Sequence, residues 1–341
     1  MKKIKLAVIH TAYVNVPKEA IPDCENFSEE SALMYIKSNI DRTLGYIQKA
    51  GEANADIVCT NEDFPYHGMY LTDLEHPDVF ASLVKTTQTE IREKISALTN
   101  KYQMHIAANN YVERDGKIYN TSTLYGRQGE ILGKYEKVHM PAIEHWKVSP
   151  GEGFDVIETD IGKIGFAICY DMIYPESCRI LALNGADIII HQTQGWGGGG
   201  KARSAGESYF RVRAIENSVY LVVAKNNQKS AGERSMVVNN FGEIIAESDV
   251  FNDELLIAEF EPNFDMTAPY QFSNYYAGVT GSRARQFLGR IPKLYKAFAN
   301  EEPTAVKAYK DQQLCDTLEK GRSLMEDWAQ KSEEERSLYF W

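Results

Sequence analysis

Residues 164–176 read IGFAICYDMIYPE, a strand-like run followed by the start of a helical pattern. An apolar run ends at Cys169, and Pro175 then opens a helical pattern that ends on Gly185. A buried strand that turns sharply into a helix exposes the residue at the turn, as in a nucleophile elbow. The pattern therefore predicts an α/β protein in which Cys169 lies at the carboxyl end of a strand. The backbone N–H of Tyr170 would then face a substrate oxygen.

Short apolar runs rich in Ile and Val recur on both sides of this stretch and predict further buried strands. Residues 35–53 and 79–102 carry apolar residues at helical spacing, and turn signals around Gly129 and Gly242 predict two hairpins. Alternating strands and helices combined with hairpins indicate an α/β fold with a mixed sheet. The predicted strands are residues 6–9, 55–60, 105–109, 164–169, 187–192 and 219–224.

Composition excludes several classes of partner. The chain has 341 residues, of which 43% are hydrophobic and 25% charged, so it can bury a sizeable core. Its formal net charge of −11 argues against nucleic acid and anionic membrane surfaces, which require clustered Lys and Arg. Because no apolar stretch approaches the roughly 18 residues of a membrane span, we expect no membrane partner.

The cysteines favour a reducing compartment. There are five of them, irregularly spaced and without a CxxC pair, which predicts neither a disulfide framework nor a zinc site. The apolar run after the N-terminal lysines is too short for the hydrophobic region of a signal peptide. We therefore expect a cytoplasmic protein that holds no metal.

Two more stretches place ionisable groups at predicted strand ends. Residues 55–60 lead directly into Glu62 and Asp63, and a carboxyl group that is partly desolvated there can shuttle protons near neutral pH. Lys137 ends another strand within residues 133–139, GKYEKVH, where a fixed ammonium can stabilise a developing negative charge.

Taken singly, each of these residues has a simpler explanation. A cysteine such as Cys169 is most often a small buried apolar residue, Glu62 could be a solvated loop acid, and Lys137 an ordinary surface lysine. Asp63 competes with Glu62 for the role of base. A pair formed by Cys169 with a histidine, His139 or His191, is a further alternative.

Together the three motifs resemble the nitrilase-like (carbon–nitrogen hydrolase) superfamily in order and spacing, and the resemblance covers about residues 4–295. It extends to Asn120, in a Tyr-Asn-Thr strand, and to residues 213–217, RAIEN. The resemblance implies a four-layer α-β-β-α sandwich of two mixed sheets. It also implies Cys169 as nucleophile, Glu62 as general base and Lys137 as oxyanion stabiliser.

The resemblance implies further features of the site. Glu144 stands where many members carry a second Glu, which would steer the substrate or Lys137, and Trp146 beside it is a candidate substrate contact. No metal or organic cofactor is implied, and the protein would be a homo-oligomer, a dimer or larger. Asn61 precedes Glu62 where the family often has Pro, a departure that could loosen the strand end.

Residues 195–201, GWGGGGK, carry a competing signal. They fit the spacing of a phosphate-binding loop, but Ala202 stands where such loops have the Ser or Thr that binds Mg²⁺. A nucleotide site, a flexible loop and a substrate-pocket loop all remain open. In the last case Trp196 and Arg203 are candidate pocket residues.

The residues after Cys169 bear on the substrate. Tyr170 and Asp171 resemble the pair found in amidases and carbamoyl hydrolases, whereas nitrilases have Trp-Glu. Residues 172–174 lack the Arg with which many carbamoyl-amino-acid hydrolases bind a carboxylate, although Arg203 or Arg211 could replace it.

We therefore expect hydrolysis of a small amide or N-carbamoyl amine through a thioester, with release of ammonia or amine. A catalytically silent binding protein and hydrolysis of a nitrile to the acid are the alternatives. The expected hydrolase domain spans residues 1–295, and the expected helical C-terminal extension spans residues 296–341.

Overall fold

The computed structural model describes residues 3–12, 15–69, 77–141, 144, 147–194, 201–227, 234–249, 252–264, 283 and 287–300. Within these residues, strands and helices alternate along the chain as the sequence predicts. The predicted helical tail lies outside the described residues from position 301 onward, so the extension stays a prediction. The glycine-rich loop at positions 195–200 also lies outside them.

The first sheet is mixed, with a parallel centre and antiparallel edges. Its strand order is β5-β4-β3-β2-β1-β12, and the pairs β1–β2 and β2–β3 are parallel. Its strands are β1 (Ile4–Ala12), β2 (Ile57–Cys59), β3 (His105–Arg114), β4 (Lys117–Tyr125), β5 (Ile131–Glu136) and β12 (Glu254–Phe260).

The second sheet has the same construction. Its order is β6-β7-β8-β9-β10-β11, with parallel pairs β7–β8 and β8–β9 between antiparallel edges. Its strands are β6 (Val156–Thr159), β7 (Gly162–Ile168), β8 (Ile188–Thr193), β9 (Tyr220–Asn227), β10 (Met236–Val238) and β11 (Ile244–Glu247).

Four α-helices among the described residues cover the outer faces of the sheets: α1 (Glu29–Glu52), α2 (Pro77–Tyr102), α3 (Pro175–Leu183) and α4 (Lys201–Asn217). Ile36 of α1 packs against the first sheet in one buried apolar cluster, and Leu181 of α3 packs against the second sheet in another. In the part of the chain that is described, no helix has the length and apolarity needed to cross a membrane.

The inner faces of the two sheets form a third apolar cluster, in which Val8 of β1 packs with Phe166 of β7 and Val222 of β9. The layers are therefore α-β-β-α, and the predicted four-layer sandwich of two mixed sheets is confirmed. One feature was not predicted. The last residues of β1, Thr11 and Ala12, pair in parallel with the end of β9 and join the two sheets along one edge.

Local chemistry explains where two of these elements lie. Helix α1 begins before the predicted residue 35 because the Ser28 hydroxyl accepts a hydrogen bond from the Ser31 N–H (3.3 Å) and caps the first turn. Gly165 lets α3 pack closely on β7, since a Cβ there would lie 2.8 Å from Leu181 Cδ2. This close packing fixes the helix that follows Cys169.

Candidate active site

Cys169 occupies a strained turn between β7 and α3. Its φ is 43°, in the left-handed region that residues other than Gly rarely adopt. It opens a short 3₁₀ turn, Cys169–Ile173, after which α3 begins at Pro175. The side chain is only partly exposed. The predicted elbow is therefore present, and it places the thiol at the carboxyl end of β7.

Asp171 holds this elbow in place. Its fully buried carboxylate accepts four hydrogen bonds: from the Ile168 N–H (2.9 Å), the Tyr135 hydroxyl (2.6 Å), and both the N–H (2.8 Å) and Nδ1 (2.9 Å) of His139. Tyr135 and His139 stand on either side of Lys137 in the chain. One carboxylate therefore fixes the segment that carries Lys137 relative to the segment that carries Cys169.

Lys137 lies between two carboxylates. Its Nζ is 3.1 Å from Oε1 of Glu62 and 2.7 Å from Oε2 of Glu144, and its side chain is 1% exposed. The Tyr111 hydroxyl donates a hydrogen bond to the other oxygen of Glu144 (3.2 Å). Lys137 is therefore in direct contact with Glu62 and Glu144, the two carboxylates that the sequence predicts for the site.

Glu62 is oriented from three sides. Besides Lys137, Oε1 accepts a hydrogen bond from Asn120 Nδ2 (3.0 Å), and Oε2 accepts one from the backbone N–H of Gln194 (2.8 Å). Asn120 comes from β4, and Gln194 follows β8 of the other sheet. The carboxylate therefore accepts hydrogen bonds from groups of both sheets, and its position depends on how the two sheets pack.

The departure at Asn61 does not leave the end of β2 loose. Asn61 is fully buried, and its side-chain amide donates to the Thr11 hydroxyl of β1 (2.6 Å). The next residue but one, Asp63, has a φ of 52° and donates its backbone N–H to Asn109 Oδ1 (2.7 Å). These side-chain hydrogen bonds hold the segment that follows β2 in place.

Burial and charge together set the protonation of the cluster. Burial opposes the charge on Lys137, but the Glu144 and Glu62 carboxylates outweigh it and hold its pKa well above its usual value. Burial raises the pKa of Glu144. Burial, followed by the negative charge of Glu62, raises the pKa of the Cys169 thiol to about 12. The resting thiol is therefore neutral, and a base must remove its proton when it attacks.

Cys169 has electrostatic contacts with both Glu62 and Lys137, so the structure brings the three predicted catalytic side chains into one cluster. The Thr193 hydroxyl hydrogen bonds to the thiol. Sequence analysis missed Thr193 and the backbone N–H of Gln194. Thr193 ends β8 and Gln194 follows it, and the rule that sites lie at the carboxyl ends of parallel strands could have found them.

The alternative bases, Asp63, His191 and His139, are engaged in other interactions. The Asp63 carboxyl accepts a hydrogen bond from Gln194 Nε2 (3.2 Å), and burial, then the Glu62 and Glu144 charges, raises its pKa well above its usual range. His191 Nδ1 hydrogen bonds to the Ala167 carbonyl, and burial lowers the pKa of His191 to about 4. His139 is bonded to Asp171 and stacks on Tyr174, with ring centroids 3.9 Å apart.

Of the predicted substrate contacts, Tyr170 follows Cys169 in the elbow, and its ring meets that of Tyr174 edge-on (5.8 Å). Trp146 and Trp196 lie outside the described residues, as does the side chain of Arg203. Within the described ranges, no group of three or more His, Cys, Asp and Glu side chains is arranged to hold a metal ion.

Comparison with known proteins places this geometry in context. The family model described as carbon–nitrogen hydrolase matches residues 31–264, more than half of the chain. The chain is similar to the human omega-amidase NIT2, with 29% identity over 235 residues that cover 62% of this chain and 80% of the relative.

Solved structures give the same result for the fold. A carbon–nitrogen hydrolase from Helicobacter pylori G27 superposes with a TM-score of 0.60 at 25% identity, over 75% of this chain and 88% of that one. A variant of the amidase from Nesterenkonia sp. AN1 superposes with a TM-score of 0.64 at 18% identity, over 86% and 96% of the two chains. In that amidase, the acetamide moiety of fluoroacetamide is bound covalently to the active-site cysteine.

Proposed function

The chain belongs to the carbon–nitrogen hydrolase family and is an enzyme of that class, and on this premise we propose that it hydrolyses the C–N bond of a small amide or N-carbamoyl amine through a thioester on Cys169. One observation carries the proposal: an ammonium held between two buried carboxylates interacts electrostatically with a thiol on a strained turn. This arrangement supplies a nucleophile, a base and a fixed positive charge in one place.

In the first step Glu62 takes the proton of Cys169 while the sulfur attacks the carbonyl carbon of the substrate. The raised pKa of the thiol supports a proton transfer that accompanies the attack. The three hydrogen bonds to Glu62 keep its carboxylate in one orientation for this transfer.

The attack moves an electron pair onto the carbonyl oxygen. Lys137 and the backbone N–H of Tyr170 would stabilise this oxyanion. Removal of a single oxyanion donor typically slows hydrolases by about 10²–10³-fold. Glu144 keeps Lys137 charged and in place, because its carboxylate contributes the closer of the two ion pairs (2.7 Å).

Collapse of the tetrahedral intermediate breaks the C–N bond. Glu62 returns its proton to the departing nitrogen, so ammonia or an amine leaves and an acyl thioester remains on Cys169. Glu62 then takes a proton from water, the hydroxide attacks the thioester, and the acid leaves as the thiol is restored. The covalent adduct on the cysteine of the Nesterenkonia amidase supports a nucleophilic role for the residue at this elbow.

The test is ammonia release from a panel of small aliphatic amides, N-carbamoyl amines, N-carbamoyl amino acids and nitriles. We expect turnover of an amide or carbamoyl compound that falls by at least about 10⁴-fold in Cys169→Ala. Cys24→Ala is the matched control, since Cys24 is also partly exposed but lies far along the chain from the elbow. It should retain full activity.

Trapping the intermediate tests the covalent step directly. Wild-type protein quenched in acid during turnover should gain the mass of the acyl group, and Cys169→Ala should not. Turnover that survives in Cys169→Ala would disprove the mechanism. Activity toward nitriles alone would replace the proposed substrate class with that of a nitrilase.

A further inference from the structure

A chain of buried polar side chains leads from the second sheet to Glu62. It begins with Gln192 of β8, crosses to Ser122 of β4, and continues through Asn109 of β3 to Asn120 of β4. All four side chains are at most 1% exposed. The space between the two sheets is otherwise filled mainly by apolar side chains, so polar groups at this depth call for a reason of their own.

Each link of the chain is a hydrogen bond. The Ser122 hydroxyl donates to Gln192 Oε1 (2.5 Å), and Asn109 Nδ2 donates to both Ser122 Oγ (3.2 Å) and Asn120 Oδ1 (2.9 Å). Asn120 Nδ2 then donates to Glu62 Oε1 (3.0 Å). In a buried network of this kind, the loss of one member leaves its neighbours without partners.

A backbone contact fixes the orientation of Gln192 at the far end of the chain. An amide side chain can present either its oxygen or its NH2 to a neighbour, and its partners decide which. Gln192 Nε2 faces the backbone carbonyls of Thr60 (2.8 Å) and Ala107 (3.2 Å), which can only accept. Its oxygen must therefore face Ser122, whose hydroxyl has to donate to it.

A second backbone contact fixes the orientation of Asn109. Its Oδ1 faces the backbone N–H of Asp63 (2.7 Å), which can only donate. The NH2 of Asn109 must therefore face Ser122 and the oxygen of Asn120. As a result, Asn120 has to present its own NH2 to Glu62, so the whole chain has a single possible direction.

This direction decides which oxygen of Glu62 can take a proton. Oε1 accepts hydrogen bonds from Lys137 and Asn120, whereas among the described groups Oε2 accepts one, from the Gln194 N–H. Because a carboxylate oxygen accepts about two hydrogen bonds, Oε2 keeps a lone pair available. An Asn120 turned by half a rotation would place its oxygen against Oε1 and push the carboxylate out of position.

We propose that the other three members of the chain are positioning residues, which hold Asn120 in the orientation that donates to Glu62 and leave Oε2 to take the proton of Cys169. This inference rests on the proposed function, in which Glu62 is the base. The three positioning residues, which act on the reaction only through Asn120, are Asn109, Ser122 and Gln192.

Ser122→Ala removes the middle of the chain without touching Asn120 or Glu62. We expect kcat to fall by about tenfold while KM stays within about twofold of the wild type. Thr121→Val is the matched control, because Thr121 is also buried, precedes Ser122 in β4, and donates its hydroxyl to the Tyr119 carbonyl (3.3 Å). It should lower the melting temperature by a similar amount and keep the wild-type kcat.

A double-variant cycle tests whether Ser122 acts through Asn120. Asn120→Ala alone should lower kcat by about 100-fold, since Glu62 loses the donor itself. Once Asn120 is absent, the further change Ser122→Ala should alter kcat by less than about twofold. A residue that merely supports the fold would instead lower kcat by the same factor in both backgrounds.

A measurement without substrate separates this inference from the proposed function. Iodoacetamide alkylates the Cys169 sulfur, and the same base must remove the thiol proton. The rate of labelling, followed on the peptide that contains Cys169, should therefore fall by about tenfold in Ser122→Ala. It should stay at the wild-type value in Thr121→Val.

The two proposals fail in different ways. If Ser122→Ala matches Thr121→Val in both kcat and labelling, or if the losses multiply in the double variant, the positioning role is overturned and the amidase remains. Absence of turnover for every amide of the panel, with labelling that still depends on Ser122, would disprove the proposed function alone. If Asn120→Ala does not fold, the comparison of Ser122→Ala with Thr121→Val still decides.

Discussion

The two ends of the sandwich each carry a basic side chain between two carboxylates, with opposite physical consequences. At the end that carries the candidate active site, Lys137 lies between Glu62 and Glu144, and all three side chains are at most 2% exposed. At the opposite end, Arg127 lies between Asp56 (3.2 Å) and Asp160 (2.9 Å). There the Asp160 side chain is 58% exposed and the arginine 25%.

Solvent accounts for the difference. At the exposed end, the hydrogen bonds from Arg127 and His105 outweigh partial burial and lower the pKa of Asp160 to about 2. At the buried end, burial raises the pKa of Glu144 and of Asp63. The Arg127 cluster is a structural ion pair at the surface, whereas the Lys137 cluster holds charges that water would otherwise stabilise. Buried, perturbed groups of this kind are typical of active sites.

After Cys169→Ala, the largest effect should come from Glu62→Gln, which keeps the shape of the side chain and removes the proposed base. We expect kcat to fall by about 10³-fold or more. The free energy of unfolding should fall by about 1–3 kcal/mol, because the amide keeps one acceptor oxygen for the donors that now bind both oxygens of Glu62. Steady-state ammonia release and thermal unfolding are the measurements. Asp63→Asn is the matched variant and should remain within about tenfold of the wild type. The reverse order of the two variants would assign the base to Asp63.

Asp171→Asn tests whether the candidate active site depends on the carboxylate that joins its two segments. The amide has one acceptor oxygen in place of two, so buried donors of Ile168, Tyr135 or His139 lose partners. We expect kcat to fall by about 100-fold and the free energy of unfolding by about 1–3 kcal/mol.

Two readouts separate positioning from simple destabilisation in this variant. The rate at which iodoacetamide labels Cys169 should change, and KM should stay within a few-fold of the wild type. Tyr135→Phe removes one of the four hydrogen bonds and should give a smaller loss of kcat. A loss of stability without any change in kcat or labelling would show that Asp171 only supports the fold.

Gly151→Ala should shift the backbone at Lys137. The Gly151 N–H donates to the Lys137 carbonyl (2.9 Å), and a Cβ at residue 151 would collide with the Glu136 carbonyl. We expect kcat to fall by about tenfold through displacement of Lys137. Gly153→Ala is the matched control, since its Cβ would meet nothing within 4 Å. Equal activity of the two variants would mean that the backbone at Lys137 tolerates the shift.

The smallest effect belongs to the exposed end. Asp160→Asn should leave activity unchanged and lower the free energy of unfolding at neutral pH by about 0.5 kcal/mol, since the pair is largely solvated. Because the folded-state pKa of Asp160 is depressed to about 2, its contribution is present above the unfolded value of about 3.9 and is lost as the pH falls toward 2. Unfolding curves of variant and wild type should therefore converge at acid pH. A difference that persists at pH 2 would contradict this account.

Much of the fold follows from local sequence signals. Apolar runs bounded by turn residues predicted the central strands, and Pro175 and Gly185 predicted the bounds of α3 closely. The positions of Glu62, Lys137 and Cys169 were predictable because each closely follows the end of a strand within a distinct motif. Their mutual contacts were not, since these depend on how two separate sheets face each other.

Other residues of the site carry weaker signals. Gln194 contributes a backbone N–H, which any residue type would provide, so no motif marks it. Thr193 comes close to Cys169 only because β8 pairs with β7, which periodicity along one strand does not reveal.

The pairing of β1 has a consequence for biosynthesis. This first strand hydrogen bonds along its length to β12, whose residues are the last of the described strands, and at its end to β9. During synthesis, one edge of β1 would stay unpaired until almost the whole hydrolase domain had emerged from the ribosome. Such long-range pairing slows folding and exposes a strand edge to aggregation. A nascent chain halted before residue 254 should therefore need a chaperone, and enzymatic activity should appear only after β12 has been made.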